Sequence, residues 1–193
     1  MFIHKIDEDL ALKLPEMKDA ERIFELTDSS REYLKEWLPW LDFTTKLEDT
    51  QDFIKTGRRN YAEGKTLNAA ILFKGEIVGM GGFNNINQAN KTAYIGYWLA
   101  PEYQGHGIMT RVAKAFTEYA LNELKLNKVE IRAAVGNQKS RSIPERLGYV
   151  QEGTIRQAEW LYDHYVDHVV YGMLAEEWDK EKLQSVDALP TDC

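Results

Sequence analysis

Residues 94–121 constrain the fold more than any other part of the chain, because they read as a strand, a glycine turn and a helix in direct succession. Residues 94–99 form an aromatic and apolar run (YIGYWL), which predicts a buried strand. From Ile108 onward, apolar side chains recur at three- and four-residue spacing, which predicts a helix with one face against a sheet. Gly105 and Gly107 precede the first helical amides, which have no partner inside the helix and lie at the positive end of its dipole. The stretch therefore predicts a turn that binds an anion such as phosphate.

The glycine turn alone does not identify its ligand, because an ordinary loop that ends in glycine gives the same pattern. It lacks the Gly-Lys-Ser/Thr of a Walker loop and the third glycine of a dinucleotide-binding turn. The pattern Gln104-x-x-Gly107-x-Met109 resembles the pyrophosphate-binding motif Gln/Arg-x-x-Gly-x-Gly/Ala of the GNAT superfamily of acyl-CoA-dependent N-acyltransferases. Met109 departs from the small residue that the motif prefers at this position. The resemblance implies that acetyl-CoA is the cosubstrate and that the following residues bind it: Trp98, Leu99, Gln104, Gly105, His106, Gly107, Ile108, Met109, Thr110, Asn137, Ser140 and Arg141.

A second motif lies after the next predicted strand. Asn137-x-x-Ser140 followed by residues 145–149 (ERLGY) is similar to a GNAT helix written N-x-x-S/A…(E)-x-L-G-F/Y. Many GNAT enzymes carry a tyrosine seven residues after the asparagine, where it protonates the departing thiolate, whereas this chain carries Pro144. The RimJ/RimL branch, whose known members acetylate the N-termini of ribosomal proteins, also lacks that tyrosine. The chain is similar to this branch here and over residues 153–160 (GTIRQAEW).

The resemblance to the RimJ/RimL branch implies an acid and a base. Ser140 corresponds to the proposed acid and Glu159 to the proposed base. Simpler roles stay open at this stage: Asn137 and Ser140 are both residues that commonly cap a helix, and Glu159 could be solvated or paired with Arg156. The four histidines show no convincing metal-ligand spacing, so no metal site is expected.

An aromatic segment at residues 33–43 is unusually dense for a connection between helices. It predicts either a flap that packs on the core or one wall of an acceptor pocket, since such pockets have apolar and aromatic linings. We expect Trp37, Trp40 and Phe43 to contact the acceptor, because in the GNAT resemblance this region borders the acceptor site.

The length and charge of the chain set broad limits on its organisation. Its 193 residues suit a single domain, expected at 1–184, followed by a frayed polar tail at 185–193. The net charge of −7 argues against broad binding to nucleic acid, and is compatible with a cationic substrate or simply with solubility. The sequence has no membrane-length apolar run and its one cysteine is the last residue, so a cytoplasmic protein is expected.

The remaining patterns complete a coarse secondary-structure prediction. Strands are predicted at 2–13 (one strand or a pair), 66–73, 76–83, 92–99, 128–135, 149–158 and 165–174, with helices beginning near residues 15, 47, 108, 138 and 175. Residues 84–90 are predicted as a polar loop, and Phe53, Ile54 and Tyr61 as the inward face of the second helix. Leu183 is placed on the terminal helix.

Together these observations predict the GNAT α/β fold, a mixed and mostly antiparallel sheet of about seven strands with a splayed parallel pair, flanked by helices. The expected activity is transfer of an acetyl group from acetyl-CoA to a primary amine, with the N-terminal α-amine of a protein such as a ribosomal protein as acceptor. Two alternatives stay open: a small polyamine or aminoglycoside as acceptor, and a CoA-binding module without turnover. The family resemblance also implies a possible homodimer.

Overall fold

The computed structural model describes residues 3–178, which form one sheet with helices on both faces. The strands are β1 (Ile3–Lys5), β2 (Leu10–Lys13), β3 (Leu67–Phe73), β4 (Glu76–Asn87), β5 (Thr92–Leu99), β6 (Lys128–Ala134), β7 (Val150–Leu161) and β8 (His164–Leu174). The helices are α1 (Ala20–Ser29), α2 (Arg31–Lys35), α3 (Leu47–Ala62), α4 (Ile108–Glu118) and α5 (Gln138–Arg146). A π-turn at Tyr119–Glu123 extends α4. The described sheet has eight strands in the order β1-β2-β3-β4-β5-β6-β8-β7.

Alternation along β3 divides the core between the two faces of the sheet. Ala69 and Ile71 pack in the cluster that includes the apolar stripe of α4, while Ala70 packs in the cluster under α1 and α3. On the α4 side, the rings of Phe83 and Phe116 meet edge to face with their centroids 5.4 Å apart. The strand, turn and helix predicted for residues 94–121 thus fold as β5, a glycine turn and α4, with α4 against the sheet.

The sheet opens between β5 and β6, the one parallel pair in the described sheet. Their pairing starts at Thr92 and Lys128 and stops at Ile95 and Ile131. Beyond that point β5 continues along β4 to Leu99, while β6 continues along β8. Two strands that part in this way leave a gap at their carboxyl ends, and the predicted splayed parallel pair is confirmed.

Two local predictions are wrong. β4 runs through part of the predicted polar loop at 84–90, because it stays paired with β5 past an irregularity between Phe83 and Asn85. Of the three side chains predicted to face inward on α3, Ile54 is buried, while Phe53 and Tyr61 are 46 % and 43 % exposed. The first predicted segment, expected as one strand or a pair, is a pair, and the sheet predicted to have about seven strands has eight in the described residues.

Part of the prediction for the C-terminal region falls on residues that the structure does not describe. Trp178 is buried, but the Leu183 position and the predicted tail at 185–193 lie outside the described residues. Within residues 3–178, no helix has both the length and the apolar character needed to cross a bilayer.

Candidate active site

The turn before α4 contains two glycines that leave open space at the N-terminus of the helix. Gly105 and Gly107 have φ angles of 81° and 67°, a left-handed conformation that strongly favours glycine, and Gly107 is the N-cap of α4. A Cβ atom on either glycine would meet no heavy atom within 4 Å. The backbone conformation therefore requires these glycines, and the space in front of the helix N-terminus is open to an anion.

A cavity of about 760 Å³ lies in front of this turn, between α4, α5 and α2, and we call it the helix cavity. Three cations line it, Arg111, Lys139 and Arg146, and none of the described lining residues is a carboxylate. Lys139 Nζ donates to Gln104 Oε1 at 3.1 Å, and Arg146 Nη2 donates to Thr110 Oγ1 at 3.1 Å. The cavity is therefore electrostatically suited to a polyanion.

A second cavity of about 520 Å³ occupies the gap between β5 and β6, and we call it the sheet cavity. Its apolar wall includes the indoles of Trp37, Trp40 and Trp98, and the ring centroids of the last two are 6.4 Å apart. Among the described residues that line it, Glu159 is the only carboxylate and Arg132 the only side chain with a permanent positive charge. Such a lining suits an apolar or peptide-like ligand with one polar end.

The two cavities share a wall. Six residues line both of them: Trp37, Leu38, Tyr97, Trp98, Asn137 and Ser140. A ligand in the helix cavity and a ligand in the sheet cavity would therefore meet beside the first turn of α5, which carries Ser140. This arrangement can bring two substrates together for direct transfer.

Ser140 is held by both α5 and β5. Asn137 Oδ1 accepts from the backbone N–H of Ser140 at 3.0 Å, so Asn137 is a helix cap. Pro144 has no N–H for the carbonyl of Ser140 four residues earlier. Tyr97 Oη donates to that carbonyl at 3.3 Å, and Ser140 Oγ donates to Tyr97 Oη at 3.4 Å. Burial raises the pKa of the Tyr97 phenol, which keeps this donor protonated.

Glu159 reaches the sheet cavity because β7 bulges. The register jumps between Ile155 and Glu159, and within the bulge Gln157 adopts a φ of 48° while its N–H donates to Asp167 Oδ1 at 2.7 Å. Glu159 Oε2 then lies 3.5 Å from His168 Nε2, so its ionisable neighbour is His168. Glu159 and Ser140 line the same cavity, as the predicted acid and base require.

The structure brings most of the predicted residues together. Those that line one or both cavities are Trp37, Trp40, Trp98, Leu99, Gln104, Gly105, Gly107, Ile108, Met109, Thr110, Asn137, Ser140 and Glu159. Met109 is also part of the core, which explains how a large side chain is accommodated in the motif.

Three predicted residues lie elsewhere. His106 stacks on Phe73 with ring centroids 5.9 Å apart, and Phe43 is 80 % exposed away from both cavities. Arg141 donates to Tyr171 Oη and to the carbonyl of Val135, both at 3.0 Å. Arg141 points away from the helix cavity because it follows Lys139 by two residues on α5, and two residues correspond to a rotation of roughly 200° about the helix axis.

Sequence reasoning missed or underrated several residues of the site. Lys139 and Arg146 are seven residues apart on α5 and so share one face, a spacing that could have identified both. Tyr33 Oη accepts from Gln104 Nε2 at 2.5 Å and ties α2 to the glycine turn. Tyr97 had an indirect signal, since a proline within a helix leaves a carbonyl that needs another donor.

Residues 3–178 contain no group of three or more His, Cys, Asp or Glu side chains arranged to hold a metal ion.

Comparison with known proteins places this geometry in context. The family description of an acetyltransferase (GNAT) domain matches residues 9–150. The putative ribosomal N-acetyltransferase YdaF of Bacillus subtilis (strain 168) is 39 % identical over 183 residues, which are 94 % of this chain and 100 % of that protein. The ribosomal-protein-serine acetyltransferase of Escherichia coli (strain K12) is 29 % identical over 172 residues, covering 89 % of this chain and 96 % of the relative.

Solved structures agree in fold. RimL, a ribosomal L7/L12 α-N-protein acetyltransferase in complex with coenzyme A, superposes with a TM-score of 0.88 at 27 % identity, covering 91 % of this chain and 99 % of that one. The microcin C7 self-immunity acetyltransferase MccE, in complex with acetyl-CoA and AMP, gives a TM-score of 0.84 at 30 % identity over 88 % of this chain and 94 % of the other.

Proposed function

The chain belongs to the acetyltransferase (GNAT) domain family, and we propose that it transfers the acetyl group of acetyl-CoA to the N-terminal α-amine of a protein, with a ribosomal protein as the expected acceptor. The observation that carries this proposal is the meeting of the two cavities at Ser140. One cavity is cationic and faces a helix N-terminus, and the other is aromatic with a single carboxylate. Direct transfer between two bound substrates needs such a junction.

The helix cavity fits acetyl-CoA. The open space at Gly105 and Gly107, in front of the helix N-terminus, suits the pyrophosphate. Lys139 and Arg146 supply positive charge in the same cavity. The acetyl thioester would then lie at the shared wall. Backbone amides near Trp98, on the part of β5 that has no β6 neighbour, are the proposed donors to the oxyanion that forms during attack.

The residues at the junction suit amine acetylation. The amine must be neutral to attack, and an α-amine with a pKa of about 8 is far easier to deprotonate at pH 7 than a lysine amine at about 10.4. Glu159 draws off the proton through water, the new C–N bond forms and the C–S bond breaks. Ser140 donates a proton to the departing thiolate, a fairly good leaving group whose pKa is about 8.5 by analogy with cysteine.

The sheet cavity favours a peptide end over a polyamine. A polycation needs several carboxylates, whereas Glu159 is the single carboxylate among the described lining residues and Arg132 adds a positive charge. The indoles of Trp37 and Trp40 instead offer flat apolar surface to a peptide. The microcin C7 self-immunity acetyltransferase is 30 % identical to this chain, so similarity of this degree does not by itself select the acceptor, and the lining of the cavity supports the choice.

The test is release of free CoA thiol from acetyl-CoA, with mass analysis of the acceptor. The panel contains peptides that begin with serine, alanine or methionine, the same peptides with a blocked N-terminus, spermidine and an aminoglycoside. We expect turnover with free N-termini, lost on blocking, and no turnover with the polycations. Turnover with the polycations alone would refute the proposed acceptor, and binding of acetyl-CoA without transfer to any of these amines would favour a non-catalytic module.

A further inference from the structure

We propose that His168 accepts the proton of the attacking amine, with the carboxylate of Glu159 beside it as its ionic partner. This inference rests on the proposed function and refines its mechanism: His168, and not Glu159 itself, becomes the final acceptor of the proton that leaves through water. Both side chains line the sheet cavity, and His168 Nε2 lies 3.5 Å from Glu159 Oε2. The side chain of His168 is 13 % exposed and that of Glu159 is 31 % exposed, so the pair lies at the cavity wall, with Glu159 the more accessible.

The strand register explains why the two groups meet. His168 lies opposite Ile155, and Val166 lies opposite Glu159, so four steps along β7 match two along β8. Val166 and His168 are two residues apart and therefore face the same side of the sheet. Residues directly opposite in an antiparallel pair also share a side, which places Glu159 diagonally beside His168. The bulge in β7 thus brings the carboxylate of Glu159 beside the imidazole of His168.

The other titratable side chains that line the sheet cavity cannot accept a proton at neutral pH. From β6, Arg132 is a permanent cation whose Nη2 donates to Glu130 Oε2 at 2.8 Å. From β5, burial and the neighbouring Glu159 charge raise the pKa of the Tyr94 phenol, so it stays protonated. The described walls of the cavity therefore leave the Glu159–His168 pair as its candidate proton acceptor.

Reference acidities favour an imidazole over a carboxylate as the final acceptor. Free imidazole binds a proton with a pKa of about 6.5 and a free glutamate with a pKa of about 4.3, against about 8 for an α-ammonium group. Transfer from the ammonium to an imidazole is therefore more favourable by roughly 100-fold than transfer to a carboxylate. In the proposed step, one N–H bond of the ammonium breaks and the proton passes through water to the imidazole. The resulting imidazolium faces the Glu159 carboxylate and later releases its proton to solvent.

The experiment compares His168→Gln with the wild-type enzyme at pH 7 and pH 9.5, with a peptide acceptor and with the non-enzymatic rate subtracted. At pH 7 we expect kcat/KM to fall by about tenfold, because only about one-tenth of an α-amine with a pKa of about 8 is neutral there. At pH 9.5 the α-amine is already neutral, so the loss should shrink to less than about threefold. His164→Gln is the matched control, because His164 is exposed, pairs with Asp163 at the hairpin and lines neither cavity.

A merely structural role of His168 would lower activity by the same factor at both pH values, and that result would overturn the inference. Affinity for acetyl-CoA, measured by calorimetry on each variant, reports whether the fold and the helix cavity survive. Glu159→Gln provides a second variant: a pH-dependent loss there with none in His168→Gln would assign the proton to the carboxylate and also overturn the inference. Failure of the wild type to acetylate any peptide N-terminus would instead refute the proposed function and, with it, this mechanism.

Discussion

Ser140 takes part in the helix cap through its backbone and carries the proposed acid on its side chain. Its backbone N–H is capped by Asn137 Oδ1, so the cap uses the main chain of Ser140 and the side chain of Asn137. Among the described residues, the hydrogen-bond partner of the Ser140 hydroxyl is Tyr97 Oη. The backbone N–H of Ser140 therefore serves the stability of the helix start, while its hydroxyl is the proposed proton donor. Substitution of the side chain can separate the two.

Ser140→Ala should leave the free energy of unfolding within about 0.5 kcal/mol of wild type, since the cap remains. The same variant should lower kcat at least tenfold with little change in affinity for acetyl-CoA, because it removes the proposed acid. Asn137→Ala should instead cost about 1 kcal/mol of stability through the lost cap. Urea denaturation and steady-state kinetics on both variants check this, and a Ser140→Ala enzyme with wild-type kcat would show that Ser140 is not the acid.

At the level of elements, α5 depends on β5 for a hydrogen bond. Pro144 leaves the carbonyl of Ser140 without its usual helical donor, and the phenol of Tyr97 replaces that donor. The proline that removes the usual catalytic tyrosine of the resembled motif thus leaves a carbonyl that a different tyrosine satisfies, at the junction of the two cavities. Helix and strand are coupled at the point where the chemistry is proposed to occur.

This coupling should appear in a double-mutant cycle. Tyr97→Phe should destabilise the wild-type protein by about 1 kcal/mol, because it removes the donor to a partly buried carbonyl. In a Pro144→Ala background the new N–H can bond to the Ser140 carbonyl, and Tyr97→Phe should cost less, by about 0.5 kcal/mol or more. Equal costs of Tyr97→Phe in both backgrounds would mean that the two residues do not share this carbonyl.

An element could be predicted from the sequence when the residues that determine it are close together along the chain. The strand, glycine turn and helix of residues 94–121 were predictable because their signals lie within a few residues of one another. The position of Glu159 was not, because it depends on an irregular register between β7 and β8. The family resemblance suggested Glu159 as the base, but no pattern in the sequence pointed to His168 as its neighbour.

Across the whole molecule, buried tyrosines make the fold sensitive to alkaline pH. Folding raises the pKa of six of the ten phenols, chiefly through burial: Tyr94, Tyr97, Tyr119, Tyr149, Tyr162 and Tyr171. Such a phenol keeps its proton in the folded state at a pH where the unfolded chain has lost it. Its contribution to stability is therefore complete below the ordinary pKa of about 10 and is lost as the pH rises further.

The free energy of unfolding should accordingly fall steadily above a pH of about 10. Phenolate absorbance and far-ultraviolet circular dichroism, followed together, should show that a large part of the phenolate signal appears only as the helices and strands are lost. A titration in concentrated urea supplies the reference for the unfolded chain. Ionisation of nearly all ten tyrosines with unchanged circular dichroism would contradict the burial described here.

The helix cavity could be predicted from the sequence, whereas the sheet cavity that joins it could not be predicted in detail. The sequence resemblance supplied the residues of the helix cavity, whose motif is continuous along the chain. The sheet cavity takes its wall from six of the eight described strands and from the aromatic segment, so its volume and its single carboxylate depend on how distant parts of the chain pack. This is why Trp37 and Trp40 contact it as expected while Phe43, three residues further on, is turned outward.

The gap between β5 and β6 has one further consequence for the proposed acceptor. A cavity of about 520 Å³ has room for only the first few residues of a polypeptide, and the body of the acceptor protein must stay outside. Only a loose chain end can thread into such an opening, while a terminus already folded down or packed within an assembled ribosome is out of reach. Under the proposed function, acetylation must therefore occur early. It follows exposure of the N-terminus of the acceptor and precedes the assembly that would bury this terminus.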